Sequence, residues 1–243
     1  MKRNLTLAAL VLVLVLAACG PSEAELRAAA EAAAAQKEQA AAELARQYDD
    51  ALAARKWEMA RIHGAALLAQ YPDTQAAAQV QATFDETKAK AEAQREQERL
   101  SSLWNYARVA VGKGEQRSAM IYSKQPVDVD GSGPRTVQLV FRDHPQWGRS
   151  AYLVLQAGDF AKACYGSCSV TVAADGAAPK KMSANRPRTD EAIAMFIDND
   201  KALWKLVRKS KAIEVEFQTR DVGPCKVVFE VGGLDGKQMP GWD

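Results

Sequence analysis

The chain has 243 residues, of which 48% are hydrophobic and 26% are charged, and its formal net charge at pH 7 is +2. This composition is typical of a globular protein with one or two domains, and the near balance of charge gives no electrostatic signature of nucleic-acid binding. The only two histidines are His63 and His144. So few histidines disfavour His-rich metal sites and most hydrolases that use a catalytic triad.

The N-terminus has the organisation of an export signal. Lys2 and Arg3 precede an uninterrupted apolar run over residues 7–18. This run is shorter than the roughly 20 residues that span a bilayer core, and small residues close it. The pattern predicts a signal peptide over residues 1–18, with an uncleaved membrane anchor as the alternative.

The end of this segment carries a second signal. Leu16-Ala17-Ala18-Cys19 resembles the lipobox of bacterial lipoproteins. The resemblance implies cleavage before Cys19 and acylation of that cysteine, and several acyl chains would make the membrane anchor effectively permanent. Gly20, rather than an aspartate, follows the cysteine, which by resemblance to sorting in enteric bacteria implies the outer membrane, facing the periplasm, rather than the inner membrane.

The first part of the mature chain is rich in helix-forming residues. Residues 23–54 are about half alanine, contain no Gly or Pro, and have almost no large apolar residue between Leu26 and Leu44. Such a sequence favours a helix that has little surface to bury. We expect a solvated stalk here, with an alanine-seamed coiled coil as the alternative.

An apolar stripe then develops with helical spacing. Leu44, Tyr48 and Leu52 are followed by a second stripe from Trp57 to Tyr71, which Pro72-Asp73-Thr74 ends. Asp73 or Thr74 can cap the next helix, so the pattern predicts an αα-hairpin. Residues 56–74 resemble a single tetratricopeptide-type unit, although solenoids need about three repeats for stability.

A long helix is predicted from Thr74 to about Val111, because Leu100, Leu103, Trp104 and Ala107 continue the helical spacing and Gly112 stops it. Residues 19–111 are therefore expected to form a helical stalk and hairpin.

Beyond Gly114 the apolar period changes from 3.6 to 2. Alternation predicts strands within residues 115–243 and one helix, capped by Asp198 or Asn199, that presents Leu203, Leu206 and Val207 on one face. The fold class is α+β, with a small β-sandwich-like domain or a highly curved sheet and one packed helix. The predicted strands cover residues 136–142, 151–155, 169–172, 193–197, 213–217 and 227–231.

Several landmarks in this half carry a resemblance. In order they are Gln146-Trp147-Gly148, Gly158-Asp159-Phe160, residues 164–172, Asp175-Gly176, Met195-Phe196-Ile197 and residues 229–234. They are similar to a β-rich C-terminal domain found in uncharacterised proteobacterial envelope proteins. The resemblance covers about residues 102–236 and implies a fold and an exported context, without an activity.

Three cysteines remain besides Cys19. Cys164 and Cys168 flank Tyr-Gly-Ser, a loop compatible with a hairpin turn, so an oxidising compartment favours a structural disulfide between them. A redox-active pair is the alternative, although such pairs typically have two intervening residues. Cys225 is expected to be a buried thiol rather than an intermolecular bridge.

The remaining motifs do not favour catalysis. Residues 128–133 resemble a calcium loop but lack its third carboxylate and distant glutamate, so an Asp/Gly turn is expected. A catalytic histidine would have to be His144, with Ser150 or Ser169 as the nucleophile, yet no serine has a nucleophile-elbow motif. We assign no catalytic residue, metal ligand or cofactor.

Two other sets of side chains have a structural interpretation. Glu214 and Glu216 are expected on a solvated strand face, and four tryptophans are expected as core anchors rather than sugar platforms. These are Trp57, Trp104, Trp147 and Trp204.

Two functions remain. The favoured hypothesis is a non-catalytic envelope lipoprotein, attached to the membrane through Cys19, whose β-rich domain binds an envelope protein or component and no nucleic acid. The alternative is a periplasmic hydrolase or redox enzyme with a site assembled from scattered residues.

Overall fold

The computed structural model describes residues 21–187 and 193–242. Helices come first and strands follow, which confirms the α+β class. The helices are α1 (Glu23–Ala53), α2 (Trp57–Gln70), α3 (Gln75–Ser102) and α4 (Asp200–Val207). The strands are β1 (Trp104–Val111), β2 (Gly114–Tyr122), β3 (Gln138–His144), β4 (Gly148–Val154), β5 (Cys168–Ala174), β6 (Lys180–Asn185), β7 (Ala194–Ile197), β8 (Ile213–Gln218) and β9 (Pro224–Phe229). Short 3₁₀ helices occur at Lys162–Tyr165 and Gly236–Gln238.

The chain divides into two compact units, a helical unit that ends at Ala91 and a β-rich unit that begins at Glu92. The signal peptide predicted over residues 1–18, and Cys19, lie outside the described residues. In the described part, no helix combines the length and apolarity that a membrane span requires.

Helix α1 begins with a capping box. The backbone N–H of Glu25 donates to Ser22 Oγ at 3.3 Å, and the Ser22 backbone N–H donates to Glu25 Oε2 at 2.7 Å. Residues 21–36 are all exposed, which agrees with the expected solvated helix. High intrinsic propensity and the cap support this segment, since it buries almost nothing.

The helical unit has a small core made largely of alanine. The predicted stripes supply it: Tyr48 of α1 and Leu67 of α2 are fully buried, and Leu44 and Leu52 pack against them. The Tyr48 hydroxyl oxygen lies 2.9 Å from Thr83 Oγ1 and 2.7 Å from Thr87 Oγ1 on α3. These contacts join α1 to α3 through one phenol hydroxyl.

Thr74 caps α3, because its Oγ1 accepts the backbone N–H of Ala77 at 3.2 Å. The helix ends at Ser102, and residues 104–111 form β1, so the prediction of a helix to about Val111 is wrong. Trp104 is buried, but it lies on a strand. In β1, an edge strand, apolar and polar residues alternate only weakly along the sequence. Its apolar residues happen to continue the helical spacing of α3.

The nine strands form one antiparallel sheet in the order β1-β2-β3-β4-β7-β6-β5-β8-β9. The sheet is highly curved, since Trp104 on β1, Phe141 on β3 and Phe229 on β9 belong to the same core. Beyond β2, the Lys124 backbone N–H donates to Val228 O on β9 at 2.7 Å. The sheet thus bends round until its two ends approach each other, and the curved sheet is the correct alternative to two packed sheets.

Helix α4 packs inside this curve. Asn199 caps it by accepting the Ala202 N–H at 3.1 Å, as one of the two predicted caps. Its Trp204 is fully buried, with its ring centroid 5.0 Å from Phe141 and 5.0 Å from Trp242. The inner face of the sheet, α4 and the C-terminal segment therefore share one aromatic core.

Candidate functional site

The structure pairs Cys164 with Cys168, with their Cα atoms 4.7 Å apart. The expected hairpin is wrong, however. Cys164 lies on the 3₁₀ helix Lys162–Tyr165, and Cys168 begins β5, so the disulfide joins a short helical turn to a strand. Cys225 is a free thiol and is buried, as expected, and burial raises its pKa.

The loop at residues 128–133 is a turn. Asp128 Oδ1 accepts the backbone N–H groups of Asp130 at 3.1 Å and Gly131 at 2.7 Å, and Asp130 Oδ1 accepts that of Ser132 at 2.9 Å. Hydrogen bonds to Ser132 lower the pKa of Asp130. Both carboxylates organise the backbone, and the described residues contain no group of three or more His, Cys, Asp or Glu side chains that could hold a metal ion.

His144 also organises a turn. It ends β3, and its Nδ1 accepts the backbone N–H groups of Gln146 at 3.1 Å and Trp147 at 3.2 Å. Gly148, with φ of +70°, closes this three-residue hairpin loop in the left-handed conformation that glycine favours. Ser150 Oγ is buried and has no hydrogen-bond partner in the described part of the chain, so the structure contains no His144–Ser150 hydrogen bond.

Trp147 is the main departure from the expected core anchors. Trp104 and Trp204 are buried, but Trp147 is 69% exposed. Its indole stacks on the His144 imidazole, with ring centroids 3.9 Å apart and planes 10° apart. Because His144 is itself buried and fixed by two hydrogen bonds, the exposed indole has a rigid support.

The pairing register of β3, β4 and β7 places further aromatic and basic side chains on one face of the sheet, the face that also carries His144. Arg142 pairs with Ser150, and Tyr152 pairs with Val140 on one side and with Phe196 on the other. Cross-strand partners lie on one face, opposite the inward-facing residues. We call Arg142, His144, Trp147, Tyr152 and Phe196 the outer aromatic face.

Arg142 joins the two aromatic parts of this face. Its guanidinium carbon is 5.4 Å from the Trp147 ring centroid and 5.2 Å from that of Tyr152, within cation–π range. Burial raises the pKa of Tyr152, and Arg142 opposes that shift. No carboxylate forms an ion pair with Arg142 in residues 21–187 and 193–242.

In the strands predicted over residues 136–142 and 151–155, Arg142 and Tyr152 alternate with apolar residues, so the sequence itself contains a signal for this face. The stacking of Trp147 on His144 had no such signal, because it depends on the geometry of the turn.

A second polar cluster lies beside the disulfide. Arg186 Nε donates to Asp159 Oδ1 at 2.6 Å, and both side chains are almost completely buried. The Arg186 guanidinium also lies 4.7 Å from the Tyr165 ring centroid, and the Arg186 backbone N–H donates to Cys164 O at 2.7 Å. This ion pair ties the disulfide turn to the end of β6. Sequence analysis missed Arg186, which lies 27 residues from its partner.

The acidic face predicted for the strand that contains Glu214 is exposed in the structure. Glu214 forms an exposed ion pair with Lys226 at 2.9 Å, so this acidic strand face is solvated.

The cavities described are open surface grooves of about 240–410 Å³. The outer aromatic face is thus the feature of the β-rich unit best suited to contact another molecule.

Comparisons with known proteins do not extend this result: no family model, no curated protein and no solved structure matches the chain.

Proposed function

We propose that the chain is a non-catalytic lipoprotein of the bacterial cell envelope. Acyl chains on Cys19 anchor it in the outer membrane facing the periplasm, the exposed part of α1 acts as a stalk, and the β-rich unit binds an envelope component. The lipobox-like segment ending at Cys19 and the resemblance of residues 102–236 to a domain of proteobacterial envelope proteins support the location.

The observation that carries the binding role is the exposure of Trp147 on a rigid support. An indole that is 69% exposed keeps a large apolar surface in contact with water. A chain that needed the residue only for folding would bury it, as it buries Trp204. Exposed aromatic residues on ordered elements are typical of recognition surfaces.

The non-catalytic character is supported by the structural roles of the polar groups that could otherwise serve in catalysis. His144 Nδ1 is engaged by two backbone donors, and the disulfide and the Asp159–Arg186 pair hold a turn in place. Each of these groups has a structural task.

Anchoring is tested by metabolic labelling with a radioactive fatty acid. Wild-type protein should incorporate the label, and Cys19→Ala should not and should remain unprocessed. Equal labelling of the two proteins contradicts the anchor.

Binding is tested by sedimentation of the full chain, purified in mild detergent, with detergent-insoluble envelope material from the bacterium that carries the gene. Wild-type chain should co-sediment and Trp147→Ala should stay in solution. Ile62→Ala, a matched control that removes an exposed apolar side chain of the helical unit, should behave as wild type. Equal co-sedimentation of the wild type and Trp147→Ala contradicts the role of the outer aromatic face.

A further inference from the structure

We propose that the outer aromatic face binds a saccharide chain that carries carboxylate groups. This inference rests on the proposed function and specifies the class of its ligand. Four features of the face lead to it: the rigid indole, the guanidinium without a carboxylate, the adjacent Tyr152–Phe196 pair, and the paired strands beneath them.

The indole of Trp147 is a preorganised stacking surface. The His144 imidazole supports it at 3.9 Å with nearly parallel planes, and the two hydrogen bonds to His144 Nδ1 hold that imidazole. Little side-chain entropy remains to be lost on binding. The C–H groups on one side of a pyranose ring form a flat apolar surface that matches such an exposed ring.

Arg142 specifies the charge of the ligand. Its guanidinium is half-buried between the Trp147 and Tyr152 rings, and its Nε is shielded from water without a hydrogen-bond acceptor in the described chain. A partly desolvated cation gains most from an anion that also accepts hydrogen bonds. The planar guanidinium fits a carboxylate in particular, because both oxygens can accept from it.

The rest of the face favours a ligand of several rings. Tyr152 and Phe196 lie next to Arg142, with ring centroids 5.1 Å apart, and continue the aromatic surface from β4 to β7. A chain of sugars would contact Trp147 with one ring and this pair with another.

The same strands disfavour a peptide. β3 pairs with β2 and β4, and β4 pairs with β3 and β7, so the backbone here has no open edge to which an extended peptide could add. None of the four grooves described is lined by residues of the outer aromatic face. A flat surface with an exposed ring and one cation suits a carboxylated saccharide better than an acidic peptide.

The test is calorimetric titration of the full chain in mild detergent with tetragalacturonate, neutral chitotetraose and tetraglutamate. Tetragalacturonate should bind at least about tenfold more tightly than chitotetraose, since only it offers a carboxylate to Arg142. Tetraglutamate should show no measurable binding. Binding of tetraglutamate as tight as that of tetragalacturonate overturns the proposal, because it would show recognition of charge without a sugar.

Variants assign the binding to this face. Trp147→Ala and Arg142→Gln should each weaken tetragalacturonate binding by at least about tenfold. Ile62→Ala and Arg135→Gln, which change exposed residues elsewhere, should bind as wild type. Trp147→Ala removes an exposed side chain and keeps the fold, so an unchanged affinity of this variant overturns the proposal even where Arg142→Gln misfolds.

The outcome also separates this inference from the proposed function. Envelope co-sedimentation that depends on Trp147, without binding of tetragalacturonate, would overturn the saccharide and leave the binding role intact. If envelope co-sedimentation does not depend on Trp147 and tetragalacturonate does not bind, both the saccharide ligand and the binding role of the face are overturned.

Discussion

Asp159 and Arg186 form an ion pair in the interior of the β-rich unit. Arg186 Nε donates to Asp159 Oδ1 at 2.6 Å, and the Phe160 backbone N–H donates to the same oxygen at 2.8 Å. Burying two charges is costly, and the hydrogen bonds around them offset that cost only while both partners are present. The pair therefore fixes the disulfide turn more than it adds net stability.

We expect Asp159→Asn to lower the free energy of unfolding by about 3–5 kcal/mol, because it removes a buried carboxylate that accepts from Arg186 Nε and from the Phe160 backbone N–H. Urea denaturation measures this. Glu214→Gln is the matched control, since Glu214 pairs with Lys226 at the exposed surface and its loss should cost much less. Similar losses in the two variants would show that burial does not set the cost.

Glu230 gives the stability a dependence on pH. Its carboxylate lies 2.9 Å from Arg99 Nη2 and 3.2 Å from Lys124 Nζ, and these cations lower its pKa. A folded-state pKa below the unfolded value adds stability above the unfolded pKa, and this contribution disappears as the pH falls through the folded pKa.

Glu230→Gln should therefore melt at a lower temperature than the wild type at pH 7, and the difference should close between about pH 5 and pH 2. Thermal melts across this range measure it. Glu31→Gln, a change at an exposed position of α1, should show no such difference. A gap that stays constant down to pH 2 would contradict the role of the Glu230 carboxylate.

For single residues, the sequence predicted bonding partners and strand faces better than it predicted the solvent exposure of a side chain in a turn. The spacing of Cys164 and Cys168 was enough to predict their pairing, and alternation was enough to place Glu214 outward. The exposure of Trp147 could not be predicted, because a tryptophan in a turn is buried or exposed according to neighbours that are distant in the sequence.

Among the elements, α2 receives a ring from α3 and a ring from α1 against its Gly64. A Cβ at this position would lie 2.8 Å from ring atoms of Phe84 and 3.1 Å from the Tyr48 ring. Glycine in a helix costs about 1 kcal/mol relative to alanine. It is retained here because the two aromatic rings occupy the space of a methyl group.

Gly64→Ala should therefore destabilise the helical unit by about 1–3 kcal/mol, since overpacking outweighs the gain in helix propensity. The helical circular dichroism signal during chemical unfolding measures this. Ala69→Gly, at an exposed position of the same helix, is the control for propensity alone and should cost up to about 1 kcal/mol. A stabilised Gly64→Ala variant would contradict the close packing.

The disulfide closes a loop with a sequence separation of 4. So short a loop removes little entropy from the unfolded chain, and we expect replacement of Cys164 and Cys168 by serine to cost no more than the low end of about 2–4 kcal/mol. The fold should persist with a modestly lower melting temperature.

Mass spectrometry provides the accompanying check. Alkylation in denaturant without reductant should modify Cys225, which is free, and leave Cys164 and Cys168 protected. Alkylation of either, or a bond from either to Cys225, would contradict the pairing.

The strands that sequence reasoning found and missed differ in polarity. Those of the sheet interior alternate apolar and polar residues and were predicted to within a few residues, as for β3 and β8. The sequences of β2 and β6 are GEQRSAMIY and KKMSAN, which supply few inward apolar residues. Their conformation is imposed by pairing with neighbouring strands, which a local pattern does not contain.

For the whole molecule, the two units differ in what they bury. The helical unit buries mainly alanines, with Tyr48, Leu67 and Phe84 as its largest core residues. The β-rich unit buries many aromatic and branched side chains around Trp204 and Trp242. Hydrophobic stabilisation scales with apolar area, so the β-rich unit contains most of the cooperative core.

We therefore expect a fragment of residues 92–243 to unfold in a sharp calorimetric transition. A fragment of residues 21–91 should be helical yet melt broadly with a small enthalpy, because its largely alanine core buries little apolar area. A sharp transition in the helical fragment and none in the other would contradict this division.

The approach of the two ends of the sheet has a consequence for self-association. β1 and β9 each pair with one neighbour, and unpaired strand edges are templates for intermolecular pairing. Here the Lys124 backbone N–H donates to Val228 O on β9. On β1, Tyr106 Oη accepts the Asp235 backbone N–H of the C-terminal segment at 2.7 Å. The segment after β2 thus covers part of the β9 edge, and the C-terminal segment lies against β1 through the Tyr106 hydroxyl. A chain that lost the C-terminal segment would leave the β1 edge more open to strand pairing with other copies.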